Sequence, residues 1–115
     1  MAESQYAKMR SRVRIKTNLN AHCFIKNEDA QPLACKVVDL SAAGAGVVLQ
    51  HNGRIATGDV ITINIFLPNT VLHVSVHAEI RWMRRRVKDL LCGTQFQELL
   101  SERMFQQLIK KTPKV

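Results

Sequence analysis

Two short stretches of the chain carry side chains whose types and spacing suit one chemistry. Arg10-Ser11-Arg12-Val13-Arg14 places guanidinium groups at positions 10 and 14, and Asp39-Leu40-Ser41-Ala42-Ala43-Gly44 offers a carboxylate, a hydroxyl and a glycine at fixed offsets. Guanidinium forks match phosphate oxygens, bond the O6/N7 edge of guanine and stack on flat rings. A carboxylate accepts from the N–H donors on guanine's other edge. Arg-x-x-x-Arg followed by Asp-x-Ser-x-x-Gly therefore asks for a ligand that is anionic, planar and guanine-like. Each stretch also has a plainer reading, as a solvated basic arm or as an Asp-x-Ser turn cap.

Short strands must hold these groups. Residues 1–14 are expected to form a flexible arm that carries the arginines, and residues 15–112 a barrel with a terminal helix. Ile15 to Ile25 mixes β-branched and polar residues as a first strand does, and Lys26 to Pro32 is a turn. Cys35 to Leu40 is a second strand that delivers Asp39 and Ser41 at its end. Gly44 and Gly46 are expected to bracket a tight bend before a short strand, Val47 to Leu49, and Gln50 to Gly58 is a polar loop. Ile61, Ile63, Ile65 and Leu67 alternate with polar or outward residues up to a Pro68-Asn69 turn. In the best-patterned strand, Val74, Val76, Ala78, Ile80 and Trp82 share one face, which puts Trp82 in the core. Leu90 to Phe96 closes the set. Ser101 is the expected N-cap of a helix from about Glu102 to Lys110, with Met104, Phe105, Leu108 and Ile109 as its apolar stripe. Lys110 and Lys111 would complement the helix dipole. Six short strands and one terminal helix predict an all-β fold, a six-stranded antiparallel barrel closed by the helix.

At 115 residues the chain is one domain, large enough for a core without metal or disulfide support. Lys and Arg number 17 against 9 Asp and Glu, a formal charge of +8 that favours an anionic partner. The three cysteines, Cys23, Cys35 and Cys92, show neither a paired framework nor metal-ligand spacing, which suits a reduced, cytoplasmic protein. His73 and His77 lie ~13 Å apart along a strand, too far to share one ion. No nucleophile elbow, phosphate-binding glycine loop or paired catalytic carboxylates are visible, so an enzyme is not expected. No run approaches the ~20 apolar residues of a membrane-spanning helix. The initial Met1 fits an intact small protein or the N-terminal end of a larger one.

The chain resembles a PilZ domain, the bacterial receptor module for cyclic di-GMP. The resemblance runs through Arg10 to Ile15, Asp39 to Gly44, Glu79-Ile80-Arg81-Trp82, Gly93 to Phe96 and the C-terminal helix. It implies that Arg10 and Arg14 contact phosphates and guanine faces, that Asp39 and Ser41 hydrogen-bond guanine, and that Gly44 lets the backbone approach the ligand. Met9 and Arg12 are additional candidates. Many relatives have a second arginine at the position of Met9, where an apolar residue favours one bound dinucleotide over a stacked pair. The family binds its ligand without degrading it and needs no further cofactor. The output it implies is regulation of a protein partner in motility, biofilm formation or exopolysaccharide synthesis, through ordering of the N-terminal arm.

Arg84-Arg85-Arg86 is a separate feature, open to reading as a nucleic-acid or anionic-lipid patch, a docking surface or a solvated loop. The rival functions are thus a basic nucleic-acid-binding barrel and a ligand-independent protein-docking module.

Overall fold

In the computed structural model, residues 13–25, 32–50 and 55–110 are described. Arg10, Met9, Arg12 and, except for Pro32, the turn expected from Lys26 to Pro32 lie outside them. Six strands follow in order, β1 (Ile15–Ile25), β2 (Leu33–Ser41), β3 (Gly44–Gln50), β4 (Val60–Phe66), β5 (His73–Arg85) and β6 (Asp89–Phe96), then a helix, α1 (Glu102–Ile109). The strands close into an antiparallel barrel in the order β1-β2-β3-β6-β5-β4. Closure follows from the alternation: Ile61, Ile63 and Ile65 of β4 and Val74, Val76, Ala78 and Ile80 of β5 all turn inward and are buried. They meet Val37, Leu40, Val47 and Leu49 from the facing strands in one core. A closed sheet satisfies the backbone groups that an open edge would leave bare.

The helix begins where the sequence puts it. The Ser101 hydroxyl accepts from the Met104 N–H at 3.1 Å, which satisfies one of the free donors of the first turn. Phe105 and Leu108 are buried, with Met104 and Ile109 partly so. The helix ends one residue earlier than expected, with Lys110 already extended. Leu100 N–H donates to the Ala42 carbonyl at 2.8 Å, tying the helix approach to the β2–β3 turn.

Cys23, Cys35 and Cys92 are all buried and free. Folding brings together two that the sequence keeps apart, with the Cys23 and Cys35 sulfurs 3.1 Å from each other. The hydrogen bond to Cys35 and then burial push the Cys23 thiol well above its ordinary range. Burial pushes Cys92 up to about 11.

Two expectations are corrected. Gly44 and Gly46 do not flank a bend: both lie inside β3, and neither has a positive φ. Trp82 is not in the core but 47% exposed. The β5–β6 register slips between Ile80 and Trp82, so that two steps along β5 match one along β6. That one-residue bulge reverses the side of the sheet on which every later side chain falls.

Candidate functional site

The bulge in β5 has counterparts across the barrel. Between Val37 and Asp39, β2 carries one residue more than β3, and between Lys16 and Leu19, β1 carries one more than β2. Strict alternation from Val37 would point Asp39 inward; the bulge turns it out while Leu40 stays buried. Thr17 supports this irregular stretch, its hydroxyl donating to the Val37 carbonyl at 2.7 Å.

These slips align one transverse row on the outside of the barrel. Lys16 pairs with Asp39, Asp39 with Gly46, Gly46 with Gly93, and Gly93 with Trp82, across five neighbouring strands. The centre of the row is two glycines side by side. Each leaves room for a neighbouring side chain: a Cβ on Gly46 would collide with the Asp39 carboxylate, and a Cβ on Gly93 would collide with the Trp82 indole. The carboxylate and the indole therefore lie over adjacent backbones, roughly 5 Å apart across the strand pair. The result is a strip in which an acceptor and a flat aromatic cover the two glycines side by side.

Asp39 is held in place. Its Oδ1 accepts from the Gly46 N–H at 3.1 Å and from the Arg14 guanidinium at 2.7 Å. The Arg14 side chain is 55% exposed and that of Asp39 33%, so the ion pair faces solvent. Exposed pairs of this kind stabilise by ~0–1 kcal/mol, little enough for a ligand to exchange.

Ser41 sits differently from the other motif residues. It is 1% exposed, and its hydroxyl accepts from the Ala43 and Gly44 N–H groups at 3.3 and 3.1 Å. The turn-capping part that Asp39 was open to is thus played by Ser41, which closes the β2–β3 hairpin. Gly44 has its own requirement, because a Cβ there would strike the Thr94 carbonyl of β6. Thr94 in turn donates its hydroxyl to the Ala45 carbonyl at 2.9 Å. Ser41 and Gly44 therefore fix the hairpin that carries Asp39 on one strand and Gly46 on the other.

Folding brings Arg14, Asp39, Ser41 and Gly44 into one region. The sequence did not point to Gly46, Gly93 or the outward Trp82 as members. For Gly93 the available signal is its place as a lone glycine inside a strand, which marks a close approach. His73 and His77 have separate surroundings: His73 stands edge-on to Phe66, and His77 Nδ1 is 3.1 Å from the Thr62 hydroxyl. Among the described residues no His, Cys, Asp and Glu group is arranged to hold a metal ion, and no helix is long and apolar enough to cross a membrane.

Comparison with known proteins agrees with the fold. No curated protein matches the sequence. Among solved structures, the chain is similar to the inhibitor of motility MotI/DgrA from Bacillus subtilis, with a TM-score of 0.64 and 17% identity over 84% of this chain. The chain spans about half of that protein, 46% of its length. It is also similar to the PilZ domain of YcgR from Escherichia coli, solved with c-di-GMP: the TM-score is 0.63 and the identity 19%, over 84% of this chain and 82% of that one. At these identities the likeness is one of fold. The family model for the PilZ domain matches residues 8–111, nearly the whole sequence, and the chain belongs to the PilZ domain family.

Proposed function

We propose that this chain is a cyclic di-GMP receptor whose site is the row from Asp39 to Trp82, with Arg14 at its edge and Arg10 joining from the N-terminal side. The observation that carries the reading is the pairing of Gly46 with Gly93, with a carboxylate over one and an indole over the other. The Trp82 ring gives a flat base a stacking face, and Asp39 beside it accepts from guanine N–H groups. Arg14 and Arg10 take the phosphates and the O6/N7 edge. Ser41 and Gly44 act here by holding the hairpin. The YcgR domain was solved with this ligand, which supports the same assignment. One half-exposed tryptophan suits one or two bases better than a run of polynucleotide, which needs successive stacking platforms.

In this reading Arg14 exchanges Asp39 for the ligand's phosphate, and the residues before it close over the bound dinucleotide. Because the ligand favours only the closed arrangement, its differential affinity sets the population shift. The new surface would regulate a protein partner, with motility the favoured output by analogy with the inhibitor of motility. With Met9 before the motif, one dinucleotide per chain is expected.

Isothermal titration calorimetry with cyclic di-GMP, with GTP as control, tests this. Selective, saturable binding at a ratio of one, abolished or severely weakened in Arg10→Ala and Arg14→Ala, is the expected result. Unchanged affinity in either variant would remove the site assignment.

A further inference from the structure

Beyond Trp82, β5 and β6 continue into a hairpin that the ligand site does not use. Its last β4 neighbour is at Glu79, paired with Val60, so Arg81 to Arg85 have β6 on one side and no ladder to β4 on the other. Arg86 N–H donates to the Asp89 carbonyl at 2.9 Å, leaving Val87 and Lys88 as the tip. Arg81, Arg84, Arg85, Arg86 and Lys88 put five exposed cations into eight residues. The two carboxylates of this stretch are already engaged. Glu79 accepts from Arg81 at 3.2 Å, and Asp89 is gripped by Arg86 through Nε at 2.5 Å and Nη2 at 2.9 Å. At the apex Val87 is fully exposed.

Charge on a strand edge that no described strand covers deters strand addition by another chain. That explains arginines along β5 but not an exposed valine at the tip, between Arg86 and Lys88 in the chain. We propose that this hairpin docks the domain on an anionic phospholipid surface, with Val87 entering the headgroup layer and Arg84 and Lys88 on lipid phosphates. The shape favours a flat partner over a peptide: clefts that could seat a peptide lie away from the hairpin, along β1 and β2 and beside α1. It also disfavours nucleic acid, since the half-exposed indole lies over Gly93 and not at the tip. One valine contributes little burial, so attachment is electrostatic, reversible and salt-sensitive. Arg84 stands two residues beyond Trp82, ~6–7 Å along the strand, which brings the row of the candidate site close to the bilayer. The inference stands on the hairpin alone and does not need the ligand reading.

The test is co-sedimentation of the full chain with vesicles of phosphatidylcholine, with and without phosphatidylglycerol, at low and physiological salt. Binding to the phosphatidylglycerol vesicles alone is expected. The double variant Arg84→Glu/Lys88→Glu should lower the partition roughly thirtyfold or more, at the usual contribution of a basic residue near an anionic surface. A charge-matched control, Lys36→Glu/Lys110→Glu, should leave most of the binding. Val87→Asp supplies an independent reading should the double variant melt early, and is expected to weaken binding as well. Absent vesicle binding would overturn the proposal, as would an equal loss in the control, which would assign the effect to net charge. Retention on a single-stranded oligonucleotide through the same arginines, without vesicle binding, would assign the hairpin to nucleic acid instead.

Discussion

The Asp39 carboxylate lies across the backbone of Gly46, accepting its N–H at 3.1 Å in the space that a Cβ would fill. The position of the acceptor thus depends on a glycine that contributes no side chain. Gly46→Ala should displace the carboxylate and lower affinity for cyclic di-GMP by an order of magnitude or more, the scale of a lost charged hydrogen bond. A double-mutant cycle by calorimetry checks the route. If Gly46 acts through Asp39, then Gly46→Ala adds nothing to Asp39→Ala.

Trp82 is the only tryptophan in the chain, so its fluorescence reports directly on the strip. Ligand addition should change that emission saturably. Trp82→Ala should weaken binding roughly fivefold to a hundredfold, from ~1–3 kcal/mol per stacked base. Because the ring is half exposed, the variant should lose less stability than the ~3–5 kcal/mol typical of a truncated core aromatic. Wild-type affinity in Trp82→Ala would remove the stacking role.

Arg14 and Asp39 form an exposed pair, so the two roles of Arg14 separate cleanly. Arg14→Ala should change unfolding free energy by no more than ~1 kcal/mol while severely weakening ligand binding. Thermal melts beside calorimetry distinguish these. Loss of the fold in this variant would mean that the ion pair is structural.

Stability should fall at alkaline pH. Unfolded, the Cys92 thiol ionises near its ordinary value; folded, burial keeps it protonated to about 11. Between those values the unfolded chain binds fewer protons than the folded one, so unfolding becomes easier as pH rises, by about 1 kcal/mol per unit. The contribution is fully present below about pH 8.5. Urea denaturation across this range checks it. Cys92→Ala should flatten part of the decline, the rest coming from Cys23, which its hydrogen bond to Cys35 and burial keep protonated.

Much of this protein is local and therefore legible in its sequence. Alternation along Ile61 to Ile65 and Val74 to Ile80 determined the inward faces of β4 and β5, and Ser101 the start of α1, because side-chain period and capping depend on neighbours a few residues away. Arg10, Arg14, Asp39, Ser41 and Gly44, with Glu79 to Trp82 and Gly93 to Phe96, carry the resemblance to the family that the family model shows. What only the tertiary structure decided is register. Three one-residue bulges turn Asp39 and Trp82 outward and align Lys16, Asp39, Gly46, Gly93 and Trp82 across five strands. A bulge is set by how two distant strands pair, and a single slip reverses every later side chain. Extending the alternation of β5 one step too far therefore buried Trp82, the residue that the fold places at the end of the site.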